Sequence, residues 1–453
     1  MNSKLQDKYT VPGPRYTSYP TVPYWDEEKP DESSWISRAK QTFHLSNNTE
    51  GISLYIHLPF CESLCTYCGC NTRITRNHLV EMPYIMHLID EWCMYLDLFG
   101  ESPRISEIHL GGGTPTFFSA VNLDVLLTSI ISSASLTADA RLSFEGHPGN
   151  TSREHLQTLY DLGFKRLSFG IQDFDLKVQD AIHRFQTVEE VRNVTELARE
   201  IGYTSVNYDL VYGLPFQTEA GILNTIHEVI GLRPDRIAFY SYAHVPWVKP
   251  GQRKFTEMDL PEANLKRKMY ELGRNMFEDA GYSEVGMDHF ALPGDELLIA
   301  AKQGKLHRNF MGYTAGKTSL LIGLGASSIS DCGTAYVQNP KHVEDYYAAV
   351  KTGHFPFVKG HLLNHEDLIL RGHITKLMCN FSTSWKNPEQ QCEALFEGIE
   401  KLDELENDGL LIRKPYSLEV LPPGRNFIRN ICMALDARLR RKKPQTQIFS
   451  STA

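Results

Sequence analysis

An α/β fold built on a parallel sheet is predicted by three features of the sequence. Between Gly51 and Gly281, six short runs rich in β-branched and aromatic residues alternate with longer stretches of helical period. The links between them are short. Gly163, Gly202 and Gly281 follow the last periodic residue of three helical stretches, where a left-handed cap needs no Cβ. Repeated strand and helix alternation of this kind gives parallel pairing with right-handed crossovers. Six units are too few to close an eightfold barrel, which leaves an open partial barrel or a doubly wound sheet.

The strands are expected near 52–58, 105–110, 141–145, 166–172, 205–212 and 236–243. In "EAGILNTIHEVIGLR", Ile222, Leu223, Ile226, Val229 and Ile230 share one helical face, and in "LPEANLKRKMYELGRNMFEDAG" Leu265, Met269, Leu272, Met276 and Phe277 do the same. Residues 1–45, rich in Pro, Tyr and Thr, read as an irregular arm. Residues 46–360 hold the alternating units and an extension, 282–360, whose glycine-rich turns and short apolar runs give no simple assignment. Residues 361–453 are expected to form a small, mainly helical domain. There "EALFEGIEKLDELENDG" aligns Leu395, Phe396, Ile399, Leu402 and Leu405 on one stripe, "LLIRKPYSLEVLPPG" reads as a β-hairpin and "RNFIRNICMALDARLRRK" as a final helix.

A chain of 453 residues can bury a sizeable core without covalent staples. The polar, proline-broken start "MNSKLQDKYTVPGPRYTSYP" and the lack of a long apolar run predict a cytoplasmic protein that does not associate with a membrane. The net charge of -9 argues against bulk nucleic-acid binding. The basic run "RLRRKKPQ" is explained as a solvated helix end, since a winged helix would spread its basic residues along a recognition helix. Cys93, Cys332, Cys379, Cys392 and Cys432 lie singly in apolar patterns, which suits buried reduced thiols and not a disulfide framework.

The other four cysteines stand together in "CESLCTYCGC", directly after the first strand. Cys61, Cys65 and Cys68 are spaced C-x3-C-x2-C, and Cys70 follows. Zinc normally gathers two separated pairs, and no second pair follows here. Three closely spaced thiolates suit an iron-sulfur cluster and leave one iron open to a small chelating molecule. Cys70 is too close to Cys68 to serve comfortably as another corner, so a bystander, a substrate-side thiol and a proton donor all remain open for it. A second signal, "IHLGGGTPT" at 108–116, ends a strand in glycines that let the backbone approach a ligand, though it lacks the Lys-Ser/Thr of a phosphate-cradling loop. Glu145, Gln172 and Asp209 interrupt or finish other strands and Arg184 follows the fourth. Four polar groups on the C-terminal rim of a parallel sheet favour a shared ligand with hydroxyl, amine and carboxylate groups.

The cysteine loop and the glycine-rich strand end resemble the radical S-adenosylmethionine superfamily. The wider set "PGPRYTSYPT", "YIHLPFCESLCTYCGCN", "GGGTPT", "RLSFGIQDF", "DLVYGLPFQT", "GMDHFALPGDEL", "LHRNFMGYT" and "IRNIC" resembles the oxygen-independent coproporphyrinogen III oxidases, or coproporphyrinogen dehydrogenases. That resemblance implies a partial (β/α)6 TIM-like barrel with an N-terminal arm and a helical C-terminal domain. It implies oxidative decarboxylation of two propionates of coproporphyrinogen III to the vinyls of protoporphyrinogen IX, in haem biosynthesis, by a 5'-deoxyadenosyl radical that removes a hydrogen from the propionate β-carbon. By similarity Cys61, Cys65 and Cys68 hold one 4Fe-4S cluster, with Tyr55, Gly112, Glu145 and Ile329 around a first S-adenosylmethionine. Tyr67, Gly113, Thr114, Gln172, Arg184, Asp209 and Ala243 match contacts to a second S-adenosylmethionine. Tyr55, His57, Cys70 and Arg15 are the candidates for catalytic roles, Arg15 as a guanidinium that the arm brings to a propionate, with Arg308 as a further carboxylate ligand. His289 and His307 fall inside family-like motifs without an assigned role. The implied partner is a low-potential electron donor such as flavodoxin or ferredoxin, and a monomer is expected.

One departure stands in "FEGHPGN", where the family commonly has a carboxylate or amide at position 147 and an arginine at 149. Here these are His147 and Gly149, read as a lineage variant. The alternatives are a related haem chaperone or another radical enzyme acting on tetrapyrroles. The chaperones usually lack the second cysteine of the C-x-C pair and the long arm, and both are present here.

Overall fold

Apolar side chains at every second position give each strand of the barrel one face that must be covered. The computed structural model describes residues 3–26, 28, 30–442, 444 and 448–452. Seven parallel strands, β1 (Ile52–Leu58), β2 (Arg104–Gly112), β3 (Ser135–Gly146), β4 (Arg166–Gln172), β5 (Ser205–Tyr212), β6 (Arg236–Ser241) and β7 (Leu321–Leu324), lie in the order β7-β1-β2-β3-β4-β5-β6. From β1 to β6 each strand pairs with the next one in sequence, so the helices all fall on one side. That is the order of a partial barrel; a doubly wound sheet would reverse direction midway.

Leu54, Ile56, Ile108, Leu110, Phe144, Phe169, Val206, Tyr208 and Ile237 point to the helix side and are fully buried. Each such side chain contributes about 1.5–3 kcal/mol by leaving water. The intervening residues build a polar inner face. Tyr55 pairs with His109 and His109 with Ser143, while Glu145 pairs with Ser168 and Ser168 with Asn207. Gly170 pairs with Asp209 one rung further on. Antiparallel strands extend both edges, His289–Ala291 and Ser283–Val285 beyond β6, and three strands ending at Lys359–Leu362 beyond β7.

Six expectations need correction. The arm is not wholly irregular: Ser3–Tyr9 and Glu32–Ser46 are helices. Asp31 caps the second by accepting from the Ser33 and Ser34 N–H groups, and Trp35, Ala39 and Phe43, four residues apart, insert into the barrel core. The extension that gave no assignment contains β7, the parallel neighbour of β1. The stripe 393–409 breaks into Glu393–Glu400 and Asp403–Asn407, burying Leu395, Leu402 and Leu405 but leaving Phe396 44% exposed. The final helix breaks too, into Ile428–Leu435 and Ala437–Arg441, and the basic run is paired: Arg438 meets Asp367 at 2.8 Å and Arg440 meets Glu397 at 3.0 Å. Lys443 of that run lies outside the described residues. Lastly, Cys93 is exposed and Cys392 half-buried, whereas Cys332, Cys379 and Cys432 are buried as expected. Among the described residues the hairpin Leu411–Lys414 and Ser417–Val420 forms a three-stranded sheet with Ser382–Ser384.

Candidate active site

The cysteine loop leaves the C-terminal end of β1 and is tied down on both flanks. Phe60 packs against Tyr84, Phe117 and Phe118, with ring centroids 5.4, 5.7 and 5.6 Å away. Thr66 donates its N–H to the Ile182 carbonyl and its hydroxyl to that of Ala181, both at 2.9 Å. Lys249 Nζ donates to the Cys70 carbonyl at 3.2 Å. Two glycines at the end of β2 and just beyond it make room for the loop: a Cβ on Gly112, at φ +114°, would stand 2.7 Å from the His57 ring, and one on Gly113 would stand 2.6 Å from the Pro59 backbone.

So held, Cys61, Cys65 and Cys68 line one cavity of about 540 Å³ at the barrel mouth. Tyr67, Gly113, Thr114, Gln172, Arg184 and Asp209 line the same space. A neighbouring cavity of about 430 Å³ is lined by Tyr55, His57, Ile329 and Phe310, and shares Cys70, Gly112 and Glu145 with the first. The two sets of residues that the resemblance assigned to different molecules therefore line two adjoining spaces, with one exception. Ala243 is not on either wall; its carbonyl accepts from Gln252 Nε2 at 3.2 Å.

The electrostatics follow from these neighbours. Cys61 Sγ lies 3.4 Å from Thr114 Oγ1, and burial pushes its thiol up to about 11. Arg184 donates to the Gly170 carbonyl at 3.1 Å and reaches Cys65 Sγ at 3.8 Å. Burial is the largest influence on Glu145 and pulls it up, but the hydrogen bond from His109 at 3.4 Å, the charges of His109 and His57 and the Gly112 N–H together leave the carboxyl below its ordinary range. Burial, then the charge of Glu145, pushes Asp209 up to about 6, although Asn207 and Ser168 donate to it at 2.8 and 3.1 Å. His57 Nε2 donates to the Asn71 carbonyl at 2.9 Å, which leaves Nδ1 to accept from the Tyr55 hydroxyl at 3.1 Å. Burial keeps that imidazole below its usual value.

Arg15 and Arg308 lie away from the thiols. Arg308 donates to the Arg15 carbonyl at 3.2 Å and stacks over Tyr313, while the Arg15 guanidinium sits 5.8 Å from the Tyr240 ring centroid. His289 Nε2 approaches the Tyr240 hydroxyl at 3.5 Å, and burial, then the charge of Arg308, pushes His289 down to about 3. His307 is on the hairpin strand His307–Asn309, held down to about 3 by burial.

Among the described residues, no three His, Cys, Asp or Glu side chains converge as ligands of a single metal ion. Three thiols spread over the wall of one cavity fit the corners of a polynuclear cluster, and the acid, amide and guanidinium groups beside them fit an amino-acid-bearing sulfonium.

Comparison with known proteins decides between these chemistries. The radical SAM superfamily matches residues 55–229, from β1 through the helix Glu219–Leu232. The oxygen-independent coproporphyrinogen III oxidase of Helicobacter pylori is 40% identical over 442 residues, 96% of each chain. That of Synechocystis is 38% identical over 99% of this chain and 97% of its own. The chain belongs to the oxygen-independent coproporphyrinogen III oxidase family. The solved coproporphyrinogen III oxidase of Escherichia coli, a radical SAM enzyme, superposes with a TM-score of 0.87 at 37% identity, covering 93% of this chain and 97% of that one.

This member is thus a radical S-adenosylmethionine oxidoreductase, and its family implies a 4Fe-4S cluster and S-adenosylmethionine. His147 is the departure noted in the sequence. It lines the larger cavity, accepts the Gly149 N–H on Nδ1 at 3.1 Å, and is pushed down to about 3 by burial and then by Arg184, so it is a neutral group at pH 7. Sequence reasoning missed Gln252 and His109. Gln252 sits in the short 3-10 helix Pro250–Lys254, without a recognisable motif, yet it is 2% exposed and donates to both the Tyr67 and Ala243 carbonyls, at 3.3 and 3.2 Å. His109 was legible as the residue two before the glycine run, on the inward side of β2.

Proposed function

We propose that the protein decarboxylates two propionate side chains of coproporphyrinogen III to the vinyl groups of protoporphyrinogen IX, without oxygen, in haem biosynthesis. The observation that carries this reading is the identity of about 40% along the whole chain, arm and C-terminal domain included, to oxidases of that name. Cys61, Cys65 and Cys68 would hold the 4Fe-4S cluster. When bound, the cluster and S-adenosylmethionine supply the 5'-deoxyadenosyl radical that removes a hydrogen atom from the propionate β-carbon.

The side chains do the positioning. Tyr55, Gly112, Glu145 and Ile329 would contact a first S-adenosylmethionine, and Tyr67, Gly113, Thr114, Gln172, Arg184 and Asp209 a second. Their placement on two adjoining cavities supports two molecules per chain. Glu145 belongs to both walls and suits the ammonium of an amino acid, which is held by a carboxylate kept ionised by His109. A primary alkyl radical attacks almost any nearby C–H bond, so rigid strands and a loop anchored by Phe60, Thr66 and Gln252 serve selectivity as much as affinity. His57, with its tautomer fixed by Asn71, orients the Tyr55 hydroxyl; Cys70, exposed between the two cavities, would meet substrate.

The reading includes a low-potential flavodoxin or ferredoxin as electron donor and a monomer working in the cytoplasm. The nine free cysteines, Cys93 exposed among them, support a reducing compartment. Among the described residues no helix is long and apolar enough to cross a membrane. The test is anaerobic turnover of the reconstituted protein with dithionite, S-adenosylmethionine and coproporphyrinogen III. Protoporphyrinogen IX and 5'-deoxyadenosine are expected together. Cleavage of S-adenosylmethionine with no vinyl product would overturn the substrate, and tight haem binding with no turnover would favour the chaperone.

A further inference from the structure

A third cavity, of about 560 Å³, opens between the arm, the helix Ala263–Asp279 and the C-terminal domain. Arg15, Lys266 and Arg429 face it from those three elements in turn. Among the described residues, Asp288 is the single carboxylate in ion-pair contact with any of the three, 3.5 Å from Arg15 Nη1. The other acids on the wall are Asp7 and Glu257, both exposed, and Glu271, which is engaged by Arg267 at 3.0 Å. Arg425 adds a further cation, stacked on Phe381 at 4.8 Å.

Two of these cations, Lys266 and Arg429, donate to neutral carbonyls, while Arg15 shares Asp288. Lys266 Nζ donates to the Tyr242 carbonyl at 2.7 Å. Arg429 donates to the carbonyls of Pro14 and Ser451 at 2.9 and 2.8 Å, and to those of Gly13 and Ser450. Carbonyls orient a cation but do not cancel its charge. The cations repel one another: burial, then the charges of Arg15 and Arg429, pushes Lys266 down to about 8, and burial, then Arg15, pushes Arg429 down to about 10. A cavity lined by a surplus of cations is complementary to an anion.

Its place in the fold indicates which anion. Tyr212 and Ser241, the last residues of β5 and β6, are on its wall, and Tyr240 lines the larger mouth cavity. The two spaces therefore adjoin through the rim of the barrel, with Arg15 beside the Tyr240 ring. A coproporphyrinogen has four propionates, and while one reacts at the mouth the others must be held elsewhere. We propose that this cavity is a carboxylate subsite, in which Arg15 and Lys266 supply donors and Arg429 supplies charge to propionates of the tetrapyrrole that are not at the reacting position. The proposal rests on coproporphyrinogen III being the substrate.

The test is a fluorescence titration of the full-length protein with coproporphyrin III, which keeps the four carboxylates and does not turn over. Lys266→Met should weaken binding at least tenfold, Lys266→Arg should recover most of the loss, and the tetramethyl ester of the porphyrin should not distinguish wild type from Lys266→Met. Asp288→Asn, which removes the counter-charge, should tighten binding two- to fivefold, and it keeps the test decisive if Lys266→Met fails to fold. Equal coproporphyrin affinity in wild type, Lys266→Met and Asp288→Asn would overturn the subsite alone. A wild type that binds no coproporphyrin at all would overturn the substrate reading and the subsite with it.

Discussion

The barrel mouth and the junction of the two termini differ in the charges they gather: the mouth sets Glu145 and Asp209 near Arg184, and the junction sets Arg15, Lys266 and Arg429 near Asp288. At the mouth each charged side chain has a designated partner on a neighbouring strand or loop: His109 for Glu145, Asn207 and Ser168 for Asp209, the Gly170 carbonyl for Arg184. At the junction Arg429 and Lys266 meet neutral carbonyls, and cations face one another across a cavity. The mouth is fixed by a sheet whose register sets the pairs between strands, with Arg184 added from a loop. The junction is gathered from residues near 15, 266, 429 and 451, and its order depends on those segments staying together.

The sharpest way to separate the two regions is to remove a proposed cluster ligand. Cys61→Ala should reduce product formation to background and abolish 4Fe-4S absorbance, while the melting curve stays close to wild type because Cys61 faces a cavity rather than the core. A variant that retained full iron and sulfide would break the ligand assignment.

The opposite cut is Arg429→Met. The Gly13, Pro14 and Ser451 carbonyls lose the Arg429 donor, while that of Ser450 keeps the Gly13 N–H, and at about 1–3 kcal/mol for each buried group left unsatisfied, a net loss of about 3 kcal/mol is expected after partial rearrangement. Chemical denaturation should show it, with early proteolysis in residues 10–20. Cluster content should be unchanged; if iron were lost as well, the two regions would not be independent. A smaller effect is expected from Gln252→Ala, which frees the Tyr67 and Ala243 carbonyls at the cluster loop. Stability should fall by about 1 kcal/mol, with chelators stripping iron faster than from wild type, and an unchanged stripping rate would remove Gln252 from the loop's support.

The same contrast explains what could be read from the sequence. All six expected strands are present because apolar residues alternate with polar ones over a local window, and the inward residues Glu145 and Asp209 stood out against that pattern. β7 was illegible: four residues, Leu321–Leu324, earn their place only by pairing with β1, nearly 270 residues away. Trp35, Ala39 and Phe43 did carry a helical spacing, but the prolines and tyrosines around them masked it. Lys266 looked like the polar side of an amphipathic helix, and nothing local could reveal that Arg15 and Arg429 would stand opposite it. Ala243 came only from resemblance, and the fold turns it off the cavity wall.

Asp209→Asn probes the mouth where stability and function pull apart. The folded carboxyl is raised to about 6 from an ordinary value of 3.8, by burial and by Glu145. Between those values the folded state binds more protons than the unfolded one, so the group's contribution is favourable at low pH and lost as pH rises through the window. Above about pH 6 the full penalty of an ionised, partly buried carboxylate is present. Asparagine removes it, so the ligand-free variant should be more stable than wild type at pH 7.5, by on the order of 1 kcal/mol because Asp209 lines an open cavity. Near pH 4 the two proteins should melt together. In exchange, the proposed second S-adenosylmethionine loses its carboxylate partner, and equilibrium dialysis should fall from two molecules per chain to one. A variant that melts below wild type at pH 7.5 would show that Asp209 is held by its neighbours and not waiting for a ligand; undiminished stoichiometry would place the second molecule elsewhere. Either result would make the mouth, like the junction, a place where charge balance is set by the fold in some other way than the pairs described.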